Sequence, residues 1–246
     1  MGGYIMQLQN MSVNDGSGIR TDIFMAGCPL RCAWCANPEG QTQDNPMVHY
    51  AEADEIMREI DRNAVFYRFS GGGVTFTGGE ATAQPAFLDE LSEMLYDRGY
   101  DLAIETCGIF SWERVAHIFA RMSTIFMDFK HPDSGEHRRL TGAGNELVLE
   151  NMARAADLDT ELVVRIPCVA GANASDETLA RSFELIKQAA PGASLELLPY
   201  HRYGEDKYRQ LGRKIPPDSF RIPTEEQLER WRAMARSAGL KVVSYK

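Results

Sequence analysis

Cys28, Cys32 and Cys35 stand in Cys28-Pro-Leu-Arg-Cys32-Ala-Trp-Cys35, a C-x3-C-x2-C spacing. Three thiolates this close can hold an iron–sulfur cube by three of its irons. Such clusters normally take four cysteines, so a group of three leaves one iron for a small molecule. That arrangement points to a reaction rather than to a passive electron store. Structural zinc is the competing use of the same thiols. It needs a fourth ligand, for which His49 is available in the sequence.

The elements that must carry these residues follow from the apolar pattern. Short β-branched runs at Ile19–Ala26, Val74–Thr77, Leu102–Thr106, Thr124–Phe129, Leu162–Ile166, Ser194–Leu198 and Lys241–Ser244 read as strands. Helical patterns lie between them. Pro85–Arg98 puts Phe87, Leu88, Leu91, Met94 and Leu95 on one face and stops at Gly99. Ser111 is placed to cap Trp112–Met122, and Ser175 to cap a helix through Ala190. Thr224-x-x-Gln227 reads as a capping box for a last helix ending at Gly239. This alternation predicts an α/β fold, a partial, open β/α barrel of about six βα units, with a doubly wound sheet as the alternative. Residues 1–246 read as one domain, with 27–37 as the cysteine loop. The polar stretch Tyr203–Ile222, with Pro216-Pro217, reads as a long surface loop that could mould to a partner.

In such barrels chemistry collects at the carboxyl ends of the strands. After the first strand come the cysteines, and after the second Gly78-Gly79-Glu80. The third ends at Glu105-Thr106, the fourth carries Asp128 and Lys130, the fifth Arg165, and the sixth runs into Pro199-Tyr200-His201. Each has a bland reading: an ordinary βα turn, a structural ion pair, a satisfied histidine. Six in succession make coincidence a poor account. Cys107 and Cys168 have no partners at ligand spacing and read as small core residues. Ser70-Gly71-Gly72-Gly73 lacks the Gly-Lys-Ser/Thr ending of a P-loop and reads as a turn.

Composition narrows the classes. A chain of 246 residues with 44% hydrophobic residues can bury a core. Its net charge of -9 argues against binding nucleic-acid backbone. Five cysteines, three of them bunched, are no disulfide framework and imply a reducing compartment, so a cytoplasmic location is expected. No signal peptide and no membrane span is visible.

Cys28-x3-Cys32-x2-Cys35 with Trp34 before the last cysteine resembles the radical S-adenosylmethionine (SAM) enzymes. Asp15-Gly16-Ser17-Gly18-Ile19-Arg20, Gly27–Cys32, Asn37-Pro38-Glu39, Ser70–Thr75, Gly78-Gly79-Glu80, Asp128-Phe129-Lys130 and Leu197–His201 narrow the resemblance to glycyl-radical-enzyme activating enzymes, in the compact form of the pyruvate formate-lyase activases. The resemblance implies that Cys28, Cys32 and Cys35 hold one [4Fe–4S] cluster, whose open iron takes the amino and carboxylate groups of SAM. Reductive cleavage would give methionine and a 5′-deoxyadenosyl radical, which takes a hydrogen from a backbone glycine of a partner enzyme. Gly78, Gly79 and Glu80 would hold the methionine amino group. Lys130 and Arg165 would meet its carboxylate, beside Asp128 and Phe129. Trp34, Ala36 and His201 would line the adenosine.

The resemblance further implies a docking loop for the partner at Asp15, Gly16, Ser17, Gly18 and Arg20. It implies flavodoxin or ferredoxin as reductant, a monomer as the default state, and a monovalent cation near Glu105 and Asp128. Glu105 stands where the pyruvate formate-lyase activase has the shorter Asp. Many activases insert a cysteine-rich ferredoxin-like stretch that this chain lacks, since only Cys107 and Cys168 lie beyond the triplet. Two other readings remain open at this point: a radical SAM enzyme acting on a small molecule, and a non-catalytic metal-binding or electron-transfer module.

Overall fold

The computed structural model describes residues 1–245. Among these, nine strands form one sheet: β1 (Gly2–Ser12), β2 (Arg20–Met25), β3 (His49–Glu52), β4 (Gly73–Gly78), β5 (Asp101–Thr106), β6 (Thr124–Asp128), β7 (Glu161–Cys168), β8 (Ser194–Pro199) and β9 (Lys241–Val242). Their order is β3-β1-β2-β4-β5-β6-β7-β8-β9. From β2 to β9 all neighbours are parallel, while β1 runs antiparallel to both β2 and β3. The parallel strands follow sequence order without reversal, whereas a doubly wound sheet reverses at a switch point. The sheet does not close, because β3 and β9 are its two edges. The open barrel is therefore the architecture.

The helices are α1 (Ala53–Arg62), α2 (Ala64–Ser70), α3 (Pro85–Asp97), α4 (Trp112–Phe119), α5 (Ser134–Thr141), α6 (Glu146–Ala156), α7 (Asp176–Ala189), α8 (Glu205–Gln210) and α9 (Glu225–Ser237). None is long and apolar enough to cross a membrane. Strand alternation sorts the side chains. Phe76, Ile104, Ile125, Met127, Val164, Ile166, Leu195 and Leu197 face the helices and form the main core with Leu88, Leu91, Ile118, Phe183 and Trp231. The opposite face lines the barrel. There Ala103, Phe126 and Val163 form a small apolar floor, and Asp22, Thr75, Glu105, Arg165 and Glu196 form a polar layer.

Several expectations are met in detail. Ser175 caps α7 through Thr178 N–H, and Thr224 with Gln227 closes a capping box on α9. Others are corrected. Ser111 makes no cap hydrogen bond because its hydroxyl is taken by Glu113, and α4 stops at Phe119. The stretch Tyr203–Ile222 is no free loop. It contains α8, and Lys207, Tyr208 and Arg213 bind back to the cysteine loop and the turn after it. Sequence reading also missed β1 and β3. β1 carries two register shifts, and Met11 has φ of 62°, so its alternation is broken before a pattern can repeat.

Candidate active site

The carboxyl ends of the strands open into a cleft of about 400 Å³. Its walls bring together Cys28, Cys32, Cys35, Gly78, Glu105, Lys130, Arg165 and His201, residues far apart in the chain. Trp34, Ala36, Gly79 and Asp128 line it too. Phe129 does not: it is fully buried in the outer core, and only its backbone N–H reaches inward, to Arg165 O at 2.8 Å. Glu80 also lies off this wall.

The cysteine loop leaves β2 and is fastened mainly through its backbone groups. Arg31 N–H donates to Thr141 O at 2.6 Å and Ala33 N–H to Leu140 O at 2.9 Å. Tyr208 Oη donates to Cys35 O at 3.1 Å. The side chains of Cys28, Cys32 and Cys35 are free thiols on the cleft wall. Burial pushes Cys32 up to about 12 and raises Cys35 as well. Neutral, half-buried thiols with no disulfide partner fit a metal centre, which ionises them on binding. His49, the ligand that zinc would need, sits on β3 and lines a separate cleft with Ile5, Tyr50 and Glu59. The zinc reading loses its fourth ligand.

Cys107 was expected in the core. It is buried, but it lies against Cys28 on the cleft wall. A hydrogen bond from Cys107 holds Cys28 below the usual thiol range, and the same bond, together with burial, keeps Cys107 protonated. Its place just past the end of β5 was the sequence signal that could have found it.

Glycines shape the floor. At Gly79 a Cβ would lie 2.2 Å from Gly40 O and 2.6 Å from Gly27 O, so only Gly lets these three loops meet. The Glu80 carboxylate buckles the junction: it accepts from Thr82 Oγ1 at 2.7 Å, Thr106 Oγ1 at 2.9 Å and Cys107 N–H at 2.7 Å. The Glu80 side chain is therefore occupied in joining the ends of β4 and β5.

Lys130 is buried and paired with Asp128. Burial works against its charge, but the Asp128 carboxylate outweighs burial and keeps it above the usual lysine range. Arg165 is the hub of the polar layer. Its Nε donates to Glu196 at 2.8 Å, Nη1 to Glu105 and Nη2 to Asn14 O at 3.2 Å. Its guanidinium lies 3.7 Å over the Phe126 ring. Burial raises Glu105 to about 7 despite Arg165. Trp34 packs edge-on to Phe220, and the exposed His201 stacks on Tyr203 at 4.7 Å.

The Asp15–Arg20 loop divides in two. Asn14 and Asp15 reach the cleft, and Asp15 O accepts from Thr75 Oγ1 at 2.7 Å. Gly18 packs on Gly72, where a Cβ would meet Gly72 N at 2.4 Å. Arg20 is 1% exposed, with its guanidinium spent on Thr75, Ser17 O, Asp101 and Val74 O. Its side chain cannot dock a partner; it ties the loop to β4 and β5.

Asp22, buried on β2, is pushed up to about 8 by burial and then by Asp15. Its folded-state value lies above its unfolded one, so folding takes up a proton and stability falls as pH rises. Between pH 6 and 8 this loss is expected to be on the order of 2 kcal/mol. Asp22→Asn should flatten that part of the pH–stability profile, measured by denaturant unfolding at several pH values. An unchanged slope would remove Asp22 from this role.

The model of the radical SAM superfamily matches residues 23–183. The isethionate sulfite-lyase activating enzyme of Nitratidesulfovibrio vulgaris is 30% identical, covering 91% of this chain and 92% of that one. The trans-4-hydroxy-L-proline dehydratase activating enzyme of Clostridioides difficile is 30% identical over 93% of this chain and 94% of its own. This chain belongs to the radical SAM superfamily and, within it, to the activating enzymes of glycyl radical enzymes. A solved domain of a pyruvate-formate lyase-activating enzyme from Bacteroides vulgatus agrees, with a TM-score of 0.58 and 29% identity over 70% of this chain and 98% of that one. Activating enzymes of this family cleave SAM reductively and generate a radical on a glycine of a partner enzyme, and this chain shares that activity. The family resemblance carried by the sequence motifs is met. The first alignment runs over 284 positions against 246 residues here, so that relative carries residues with no counterpart in this chain.

Proposed function

We propose that this activating enzyme works with one [4Fe–4S] cluster, on Cys28, Cys32 and Cys35, and with SAM in the adjoining cleft. The observation that carries the reading is the convergence of three free thiols, the Gly78-Gly79 floor and the Lys130 cation on one cleft wall. When bound, the cluster and SAM supply the electron and the sulfonium bond whose cleavage yields a 5′-deoxyadenosyl radical. The chain's own residues bind, orient and shield. Backbone at Gly78 and Gly79, on the cleft wall, would meet the methionine amino group. Lys130, which lines the same cleft as the thiols and keeps ammonium donors beyond its one bond to Asp128, suits the methionine carboxylate better than Arg165, whose Nε, Nη1 and Nη2 all have partners in the fold. Trp34, Ala36 and His201 form the side on which an adenine would lie. Asn14 and Asp15 stand at the cleft for the incoming glycine loop, with Gly16, Ser17 and Gly18 behind them.

A monovalent cation does not belong to this reading. Its two carboxylates, Glu105 and Asp128, are already neutralised by Arg165 and Lys130. The reductant is a low-potential carrier such as flavodoxin or ferredoxin. A monomer acting in the cytoplasm completes this reading. Anaerobic reconstitution should give about four irons per chain; about eight would overturn the single-cluster assignment. The functional test adds SAM, reductant and a candidate glycyl radical enzyme, sought among the genes that neighbour the one for this chain. A glycyl radical in the EPR spectrum is expected. Deoxyadenosine formed on a small molecule with no protein radical would favour the alternative substrate class.

A further inference from the structure

Cys28 borders two clefts. One is the active site; the other, about 360 Å³, lies on its outer side and is lined by Pro29, Ala83, Ile109, Phe110 and Arg114. The mechanism above gives this second cleft no task. Yet the cluster must receive an electron, and the inner cleft is where SAM and the glycine loop would sit. A donor must approach from outside.

The outer cleft suits a donor of one charge. Its single carboxylate, Glu80, is buried and bonded to Thr82, Thr106 and Cys107. Arg114 is exposed and has no carboxylate partner among the described residues. Its neighbour Glu113 is neutralised by Arg154 at 2.8 Å. Arg31 is exposed next to Cys28, which borders the cleft, its guanidinium resting on Cys28 O and Leu30 O at 2.7 Å rather than on an acid. A chain of net charge -9 thus keeps a cationic rim around exposed Pro29 and Ala83, directly over one cluster ligand. Opposite charge raises encounter rates and sets orientation.

We infer that the outer cleft beside Cys28, rimmed by Arg31 and Arg114, is the docking site for an acidic, low-potential one-electron carrier protein. The carrier loses one electron and the cluster gains it; no atoms move. This rests on the proposed function and deepens it by naming where the electron enters.

The test uses reconstituted holoenzyme under anaerobic conditions. Cluster reduction is followed by stopped-flow absorbance with a reduced acidic flavodoxin and, separately, with dithionite. Arg114→Glu should slow reduction by flavodoxin about tenfold at low salt, and the gap should narrow as salt screens the charges. Arg114→Lys should stay near wild type. Dithionite reduction and dithionite-driven deoxyadenosine formation should be unchanged in both. Equal flavodoxin rates in Arg114→Glu and wild type overturn the inference, as does an equal loss with both reductants. So does a defect seen only in activation of the protein partner, which would assign the face to that partner. Wild-type protein that forms no deoxyadenosine with dithionite would instead sink the functional reading itself.

Discussion

Cys32→Ala is expected to give a folded protein that holds less than one iron per chain and forms no deoxyadenosine from SAM. A cube bound by three thiolates loses a corner, and no spare ligand stands ready: Cys107 is a protonated thiol against Cys28. The fold should survive because the loop is fastened by backbone hydrogen bonds at Arg31 and Ala33 rather than by the Cys32 side chain. Removing a buried thiol leaves no charge unpaired, so the melting temperature of the iron-free protein should shift by a few degrees at most. Iron quantitation, absorbance of the cluster and EPR of the reduced protein check the first part; thermal unfolding checks the second. Full iron content or retained SAM cleavage would refute the ligand assignment.

Arg165→Met should produce the largest loss of stability among single changes in the cleft. The guanidinium is buried and shared by Glu196 and Glu105, with Asp15 at 3.8 Å. Removing one partner of a buried pair costs about 3–5 kcal/mol, because the remaining charge has lost its solvent and its counterion. For a chain of this size that corresponds to roughly 10 °C in melting temperature. The deficit should depend on pH. Glu105, already raised to about 7 by burial, accepts a proton in the folded state more readily than in the unfolded chain. Without Arg165, which lowers it, the Glu105 carboxyl rises further in the variant, so acidification from pH 8 to 5 stabilises the folded variant more than wild type and the gap should shrink. Adding Glu105→Gln should recover part of the loss at pH 8. A pH-independent change below about 1 kcal/mol would mean that the carboxylates relax to solvent and that Arg165 is no hub.

Much of the barrel was legible because parallel strands buried on one face and lining a barrel on the other read as short apolar runs. All seven of those runs became parallel strands in sequence order. The site was legible for a related reason. Once strand ends are located, the residues just past them must share one rim, and most of the residues named there do line one cleft. What escaped was long-range. No local signal at Lys207 or Tyr208 shows that they fasten the cysteine loop, some 170 residues earlier. A loop that is polar and proline-bearing looks solvated until its partners are known. Arg20 misled for the same reason: an arginine after glycines reads as exposed, and only the tertiary structure supplies Thr75, Val74 and Asp101 to bury it.

By itself the sequence offered the metal chemistry, since three thiols at this spacing suit an iron–sulfur cube, with structural zinc as the competing use until the fold placed His49 in a separate cleft. It also located the parallel strands along the chain and the residues that end them, because hydrophobic period and turn residues are local properties, while their order in the sheet came from the fold. The tertiary structure decided which charges remain available. It showed Arg165 spent on Glu105 and Glu196, Lys130 paired with Asp128 on the cleft wall, Glu80 locked as a buckle, and Cys28 open on two sides. Those outcomes depend on burial and on partners brought from distant strands, and both exist only once the chain has folded.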